Sequence, residues 1–141
     1  MPAKNIINAA IKAAKMSDNE YKMAAVLFKG GAIIRIATNS TKTIQYRKKF
    51  FKFDPTRHCE MAVMHNVPRD IIKECSIFIV RINNHNQLAS GKPCSACIAA
   101  LKEAGVSKAY FTNYLGGIDK INPQNVDIEL WTKEPPLVEK F

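Results

Sequence analysis

No stretch of this chain runs for the roughly 18 to 20 uninterrupted apolar residues that a membrane-spanning helix requires. The opening MPAKNIINAAIKAAK breaks its apolar positions with lysine and asparagine, so it reads as neither a secretory signal nor an anchor. Acidic residues are scarce: 12 Asp and Glu stand against 21 Lys and Arg, a formal net charge of +9. Such an excess favours polyanionic or phosphorylated partners through long-range attraction and carries no information about fold. Cysteines number only four, and two of them, Cys94 and Cys97, are close neighbours in sequence, which argues against a disulfide framework. Reduced thiols and a cytoplasmic setting are the expectation. Repeats, low-complexity tracts and linkers are also missing, so residues 1–141 are expected to form one domain, with 47% hydrophobic residues to build its core.

What is present is an alternation of helical and extended patterns. In KNIINAAIKAAKMS, Ile7, Ala10, Ile11 and Ala14 recur at helical spacing and predict an amphipathic first helix. YKMAAVLFKGGAIIRIATNS supplies two β-branched, apolar runs around Lys29, Gly30 and Gly31, the pattern of a hairpin. TKTIQYRKKFFKFDPTR has no clean period and reads as a loop. It leads into a second helix, CEMAVMHN, expected to end before Pro68. CSIFIVRIN is a near-continuous apolar strand, CSACIAALKEAG a third helix ending at Gly105, and VSKAYFTNY a further strand. Beyond Tyr114, either IDKIN after a Leu-Gly-Gly turn or VDIELW supplies a fifth strand, and the Pro135-Pro136 tail reads as irregular. The order predicts an α/β fold: a mixed five-stranded sheet with helices on both faces, its later strands joined by crossovers and hence parallel.

The chemistry concentrates at two helix beginnings. Cys94 and Cys97, separated by Ser95 and Ala96, can place both sulfurs on one ion where the chain turns into the third helix. The helix dipole there favours the thiolate form that a metal needs. His58 begins the second helix and is the natural third ligand if both helix mouths flank the strand CSIFIVRIN on the same face. His58, Cys94 and Cys97 would leave a fourth tetrahedral position open, as a catalytic rather than a structural Zn2+ does, and water at such a position is acidified toward neutral pH. Glu60, two residues beyond His58, is placed to shuttle protons from that water to a leaving nitrogen.

His-x-Glu followed by Pro-Cys-x-x-Cys is the pattern of the zinc deaminases. The stretches HCE and PCSAC, with the leading helix, hairpin and strands in the same order, thus resemble the cytidine and deoxycytidylate deaminase superfamily. The resemblance covers most of the chain. It implies the three-layer cytidine deaminase-like fold, zinc held by His58, Cys94 and Cys97, and Glu60 as proton shuttle. It also implies that Asn39, at the end of the second strand, and the backbone around Cys59 contact the substrate. Cys59 itself departs from the alanine usual in the family and is expected to turn away into the helix packing, because adjacent helical residues diverge by about 100°.

PCSACIAALKEAGVSKAYFTNY looks more like the deoxycytidylate branch than the nucleoside branch, so the resemblance implies hydrolytic deamination of a cytosine nucleotide, dCMP favoured, to the uracil nucleotide and ammonia. Family members often assemble as homo-oligomers, and the same is expected here. Arg57 could meet the substrate phosphate or pair with a carboxylate, and Tyr114 could line the base pocket or pack in the core. The run YRKKFFKF, residues 46–53, alternates aromatic and basic side chains and suits either stacking on nucleic acid or docking against protein. Two other functions stay open: deamination of cytosine or adenine within RNA or single-stranded DNA, and a non-catalytic, zinc-stabilised nucleic-acid-binding module whose knot would use His58, Cys59, Cys94 and Cys97. His65 reads as a helix-end residue, His85 as a solvated turn residue and Cys75 as inert core.

Overall fold

The computed structural model describes residues 1–17, 22–39 and 58–133. Arg57, the basic aromatic run 46–53 and Pro135-Pro136 lie outside these residues. In chain order the elements are α1 (Lys4–Lys15), β1 (Lys22–Lys29), β2 (Ala32–Thr38), α2 (Cys59–Met64), α3 (Arg69–Ile72), β3 (Ser76–Ile82) and β4 (Leu88–Ala89). They continue with α4 (Ser95–Ala104), β5 (Ala109–Thr112), β6 (Ile118–Ile121), a 3-10 turn (Pro123–Asn125) and α5 (Ile128–Lys133).

The strands form one mixed sheet in the order β2-β1-β3-β5-β6, with β4 added to β3, making six strands where five were expected. The extra strand is a two-residue pairing of Arg81 with Ala89 and Ile82 with Leu88, too short to leave a periodic trace in sequence. β3 and β5 run parallel, as a crossover through α4 requires, and every other pairing is antiparallel. The fifth strand of the main path is IDKI, antiparallel to β5. VDIELW instead enters the helix α5, whose start is capped by the Asp127 carboxylate accepting from the Glu129 and Leu130 amides at 3.0 and 3.3 Å.

Strand alternation sorts side chains between two cores, one on each sheet face. Ala24, Val26 and Phe28 of β1, Phe78, Val80 and Ile82 of β3, and Tyr110 of β5 pack with Ile6, Ala10 and Ala14 of α1. The buried stripe of α1 is therefore centred on Ile6, Ala10 and Ala14, with Ile7 and Ile11 at its edge rather than its centre. On the opposite face, Ala25, Leu27, Ile77, Ile79, Ala109 and Phe111 meet α2 and α4 through Met61, Val63, Ile98 and Leu101. This second core brings the beginnings of α2 and α4 together.

α2 stops at Met64, and the chain re-enters a short helix directly after Pro68. Proline cannot continue the preceding helix, yet its fixed φ suits the start of the next. α4 ends as expected at Gly105, in the left-handed region at φ 86°.

Candidate metal centre and proton-transfer site

His58 is the N-cap of α2 and Cys94 the N-cap of α4, both with extended backbone, and Cys97 lies in the first turn of α4. Their side chains converge: His58 Nδ1 is 3.4 Å from Cys97 Sγ and 3.9 Å from Cys94 Sγ, and the three donor atoms all lie within 4.8 Å of one another. A tetrahedral Zn2+ with N and S ligands at about 2.1 and 2.3 Å holds such donors roughly 3.5 Å apart, so this set fits the ion with little adjustment. Among the described residues no other cluster of three metal-capable side chains occurs.

The two cysteines are unlike each other. Cys94 is exposed and Cys97 buried. The Cys97 thiol hydrogen-bonds to Cys94 and, with help from His58, brings it down to about 5 against the opposing effect of burial. Cys97 moves the other way, well above the ordinary thiol range, first through burial, then through its hydrogen bond with Cys94 and the Glu60 charge beside it. Zinc takes both sulfurs as thiolates, so ion binding at this pair is coupled to proton release.

Glu60, on the first turn of α2, is only 2% exposed. It lies close enough to act on both Cys94 and Cys97 electrostatically. Its Oε1 accepts a hydrogen bond from the Cys59 thiol at 2.9 Å. Cys59 is fully buried in the sheet-facing core, as expected, but it does not turn away from the site's chemistry: its sulfur faces Glu60. Burial, then the Glu60 carboxylate, raises Cys59 well above the ordinary thiol range and keeps it a protonated donor. Cys59 is not among the atoms that converge with His58, Cys94 and Cys97.

The remaining predicted positions are more scattered. Asn39 directly follows β2 and is buried; its Oδ1 accepts from the Ser17 hydroxyl at 2.9 Å and from the Met23 amide at 3.2 Å. Those bonds fix which way the Asn39 amide points, a role for Ser17 that no sequence pattern announces. Tyr114 sits after β5 in an exposed turn organised by Asn113, whose Oδ1 accepts from the Leu115 and Gly117 amides. His65 caps the end of α2, and its carbonyl accepts from the Arg35 guanidinium. His85 is exposed in a turn held by Asn83, and the buried Cys75 donates to the Ile71 carbonyl.

The loop entering α4 is held from below. The Gly91 amide donates to the Thr112 carbonyl at 2.8 Å, and the Thr112 hydroxyl donates to the Ala89 carbonyl at 2.7 Å. A Cβ at Gly91 would lie 3.0 Å from the Ile79 carbonyl oxygen and 3.1 Å from Thr112 Oγ1, so only glycine lets the loop approach β3 and β5 this closely.

Set beside known proteins, residues 2–113 match the family model of the cytidine and deoxycytidylate deaminase zinc-binding region. Among curated proteins no sequence matches. Among solved structures, the fold is similar to that of the dCMP deaminase of the cyanophage S-TIM5. Its apo form has 20% identity and a TM-score of 0.53 over 79% of this chain and 86% of that one. The same enzyme in complex with dCMP and dUMP has 19% identity and a TM-score of 0.51 over 81% and 85%.

Proposed function

Because this chain belongs to the cytidine and deoxycytidylate deaminase zinc-binding family, we propose that it hydrolyses the exocyclic amine of a cytosine nucleotide, with dCMP the favoured substrate. The observation that carries this reading is the convergence of His58 Nδ1, Cys94 Sγ and Cys97 Sγ beside a buried glutamate that is not one of the converging donors. Three ligands and a separate carboxylate are what a hydrolytic site needs; a closed knot would require Cys59, whose thiol is engaged with Glu60.

His58, Cys94 and Cys97 hold the zinc, which when bound supplies a Lewis acid that makes water nucleophilic near neutral pH. Glu60 then manages the protons. Its carboxylate takes one from the attacking water, delivers it to ring N3, and next passes the water's second proton to the amine. A C4–O bond forms, the C4–N bond breaks, and the products are the uracil nucleotide and ammonia. Burial of Glu60 keeps bulk water from competing for these transfers.

Asn39, the Cys59 backbone and Tyr114 contact the nucleotide in this reading, and Arg57 meets its phosphate. The positive charge of the chain favours a phosphorylated substrate over a neutral nucleoside. The similarity to a dCMP deaminase fold supports the same choice. Residues 1–141 act as one deaminase domain, assembled as a homo-oligomer in the cytoplasm.

The experiment is ammonia release by the zinc-loaded protein from dCMP, cytidine, adenosine and a single-stranded oligonucleotide. Turnover of dCMP well above the others is expected. Turnover of the oligonucleotide alone, with strongly salt-dependent binding, would overturn the substrate assignment in favour of nucleic acid read by the 46–53 run.

A further inference from the structure

Of the three converging donors, Cys97 is buried within α4, whereas His58 and Cys94 stand at the N-caps of α2 and α4. Cys94 is exposed and ends a segment, Ser90 to Cys94, with no secondary structure of its own. Its carbonyl accepts from the Ile98 amide at 3.0 Å, which ties it to α4, and its position depends further on what holds that segment. Thr112 anchors the beginning through Ala89 and Gly91. Toward the other end, Trp131 of α5 donates its indole N–H to the Pro93 carbonyl at 2.8 Å, one peptide before Cys94.

That indole is itself fixed. Its ring stands edge-on to Phe111 of β5, with centroids 6.5 Å apart and planes at 90°, and the Lys92 ammonium lies 4.4 Å from the ring centroid. Three contacts thus tie consecutive residues of the ligand loop, Lys92 and Pro93, to the sheet through one side chain. Trp131 lies beyond residues 2–113, so the family match does not account for it.

We propose that Trp131 is a positioning residue for the metal centre, using α5 to clamp the Lys92-Pro93 peptide and thereby hold Cys94 at ligating distance. The inference rests on the ligand set assigned above. Groups that orient ligands in this way typically change metal affinity by roughly 10- to 100-fold when removed. Trp131→Phe keeps an aromatic ring to face Phe111, deletes the donor and weakens the Lys92 contact.

The test is the rate at which a chromogenic chelator takes zinc from the full-length, zinc-loaded protein, in parallel with the melting temperature of the metal-free form. For Trp131→Phe, zinc release accelerated roughly tenfold or more, with an unchanged metal-free melting temperature, is expected. Release at the parent rate overturns the proposal, whatever happens to the melting temperature. Should Trp131→Phe fail to fold, the unaltered protein decides, because Trp131 is its sole tryptophan. Its emission should shift as chelator removes zinc, and an unmoved emission would overturn the clamp. Cys94→Ala separates the two levels: if that variant keeps its zinc, the ligand set is wrong and the clamp falls with it. If it loses zinc while Trp131→Phe releases at the parent rate, only the clamp falls.

Discussion

Replacing Cys59 with alanine should slow catalysis without weakening substrate binding. The thiol donates to Glu60 Oε1 at 2.9 Å, and both side chains are buried, so bulk water does not readily replace the donor. A hydrogen bond to a charged group contributes about 1.5 to 3 kcal/mol. Since about 1.4 kcal/mol corresponds to a tenfold change in rate, the whole bond bounds the loss at roughly 10- to 150-fold in kcat. A thiol is a weak donor, which places the expected loss near the lower bound. KM should be unchanged, because the thiol meets the glutamate and not the nucleotide. Cys59→Ser restores a donor and should recover much of the rate. Steady-state kinetics on dCMP, with zinc content measured for each variant, is the assay. A Cys59→Ala protein with parental kcat and full zinc would refute the reasoning, as would a serine variant no better than alanine.

Metal-free protein should be alkylated by iodoacetamide selectively at Cys94. A thiol held at about 5 instead of the usual 9.0 stays ionised from neutral pH down to that value, so the rate should be flat above pH 6 and fall as pH drops through about 5. Zinc should protect it; peptide mapping that finds Cys59 or Cys97 modified first would contradict the assignment. Gly91→Ala should cost about 1 to 3 kcal/mol in urea unfolding, because its Cβ would press on the Ile79 carbonyl and Thr112 Oγ1, and a neutral result would show that the loop can retreat. Ile6→Ala, which opens a cavity under α1 on the face away from the site, should cost about 2 to 5 kcal/mol with zinc affinity unchanged.

The candidate ligands were legible because they belong to local motifs. His58, Cys94 and Cys97 each sit where a helix starts, and both starts carry their own sequence signals. The two-core α/β arrangement was equally visible, since strands such as IFIVRI are apolar on both faces. The end of the chain was not. In VDIELW the apolar residues Val126, Ile128 and Leu130 alternate as in a strand, but Leu130 is 61% exposed, and it is Val126, Ile128 and Trp131 that pack on the core. Only tertiary contact decides between those periods. The same contact reveals Trp131 against Pro93. Nor could the Cys59–Glu60 bond be read from residue spacing: neighbours on a helix diverge, yet in the first turn of α2 the thiol reaches the next residue's carboxylate. Asn39 was singled out through family resemblance, whereas its hydrogen bond with Ser17, distant in sequence, needed the fold.

The most direct measurement is of Glu60→Gln, which keeps the side chain's shape and removes its capacity to carry a proton. Zinc content and dCMP deamination should be determined on the same preparation. Stoichiometric zinc with deamination reduced by at least about 100-fold is expected, in line with general acid–base catalysis. Deamination at the parental rate with zinc bound would contradict the claim that Glu60 moves the protons at a centre held by His58, Cys94 and Cys97.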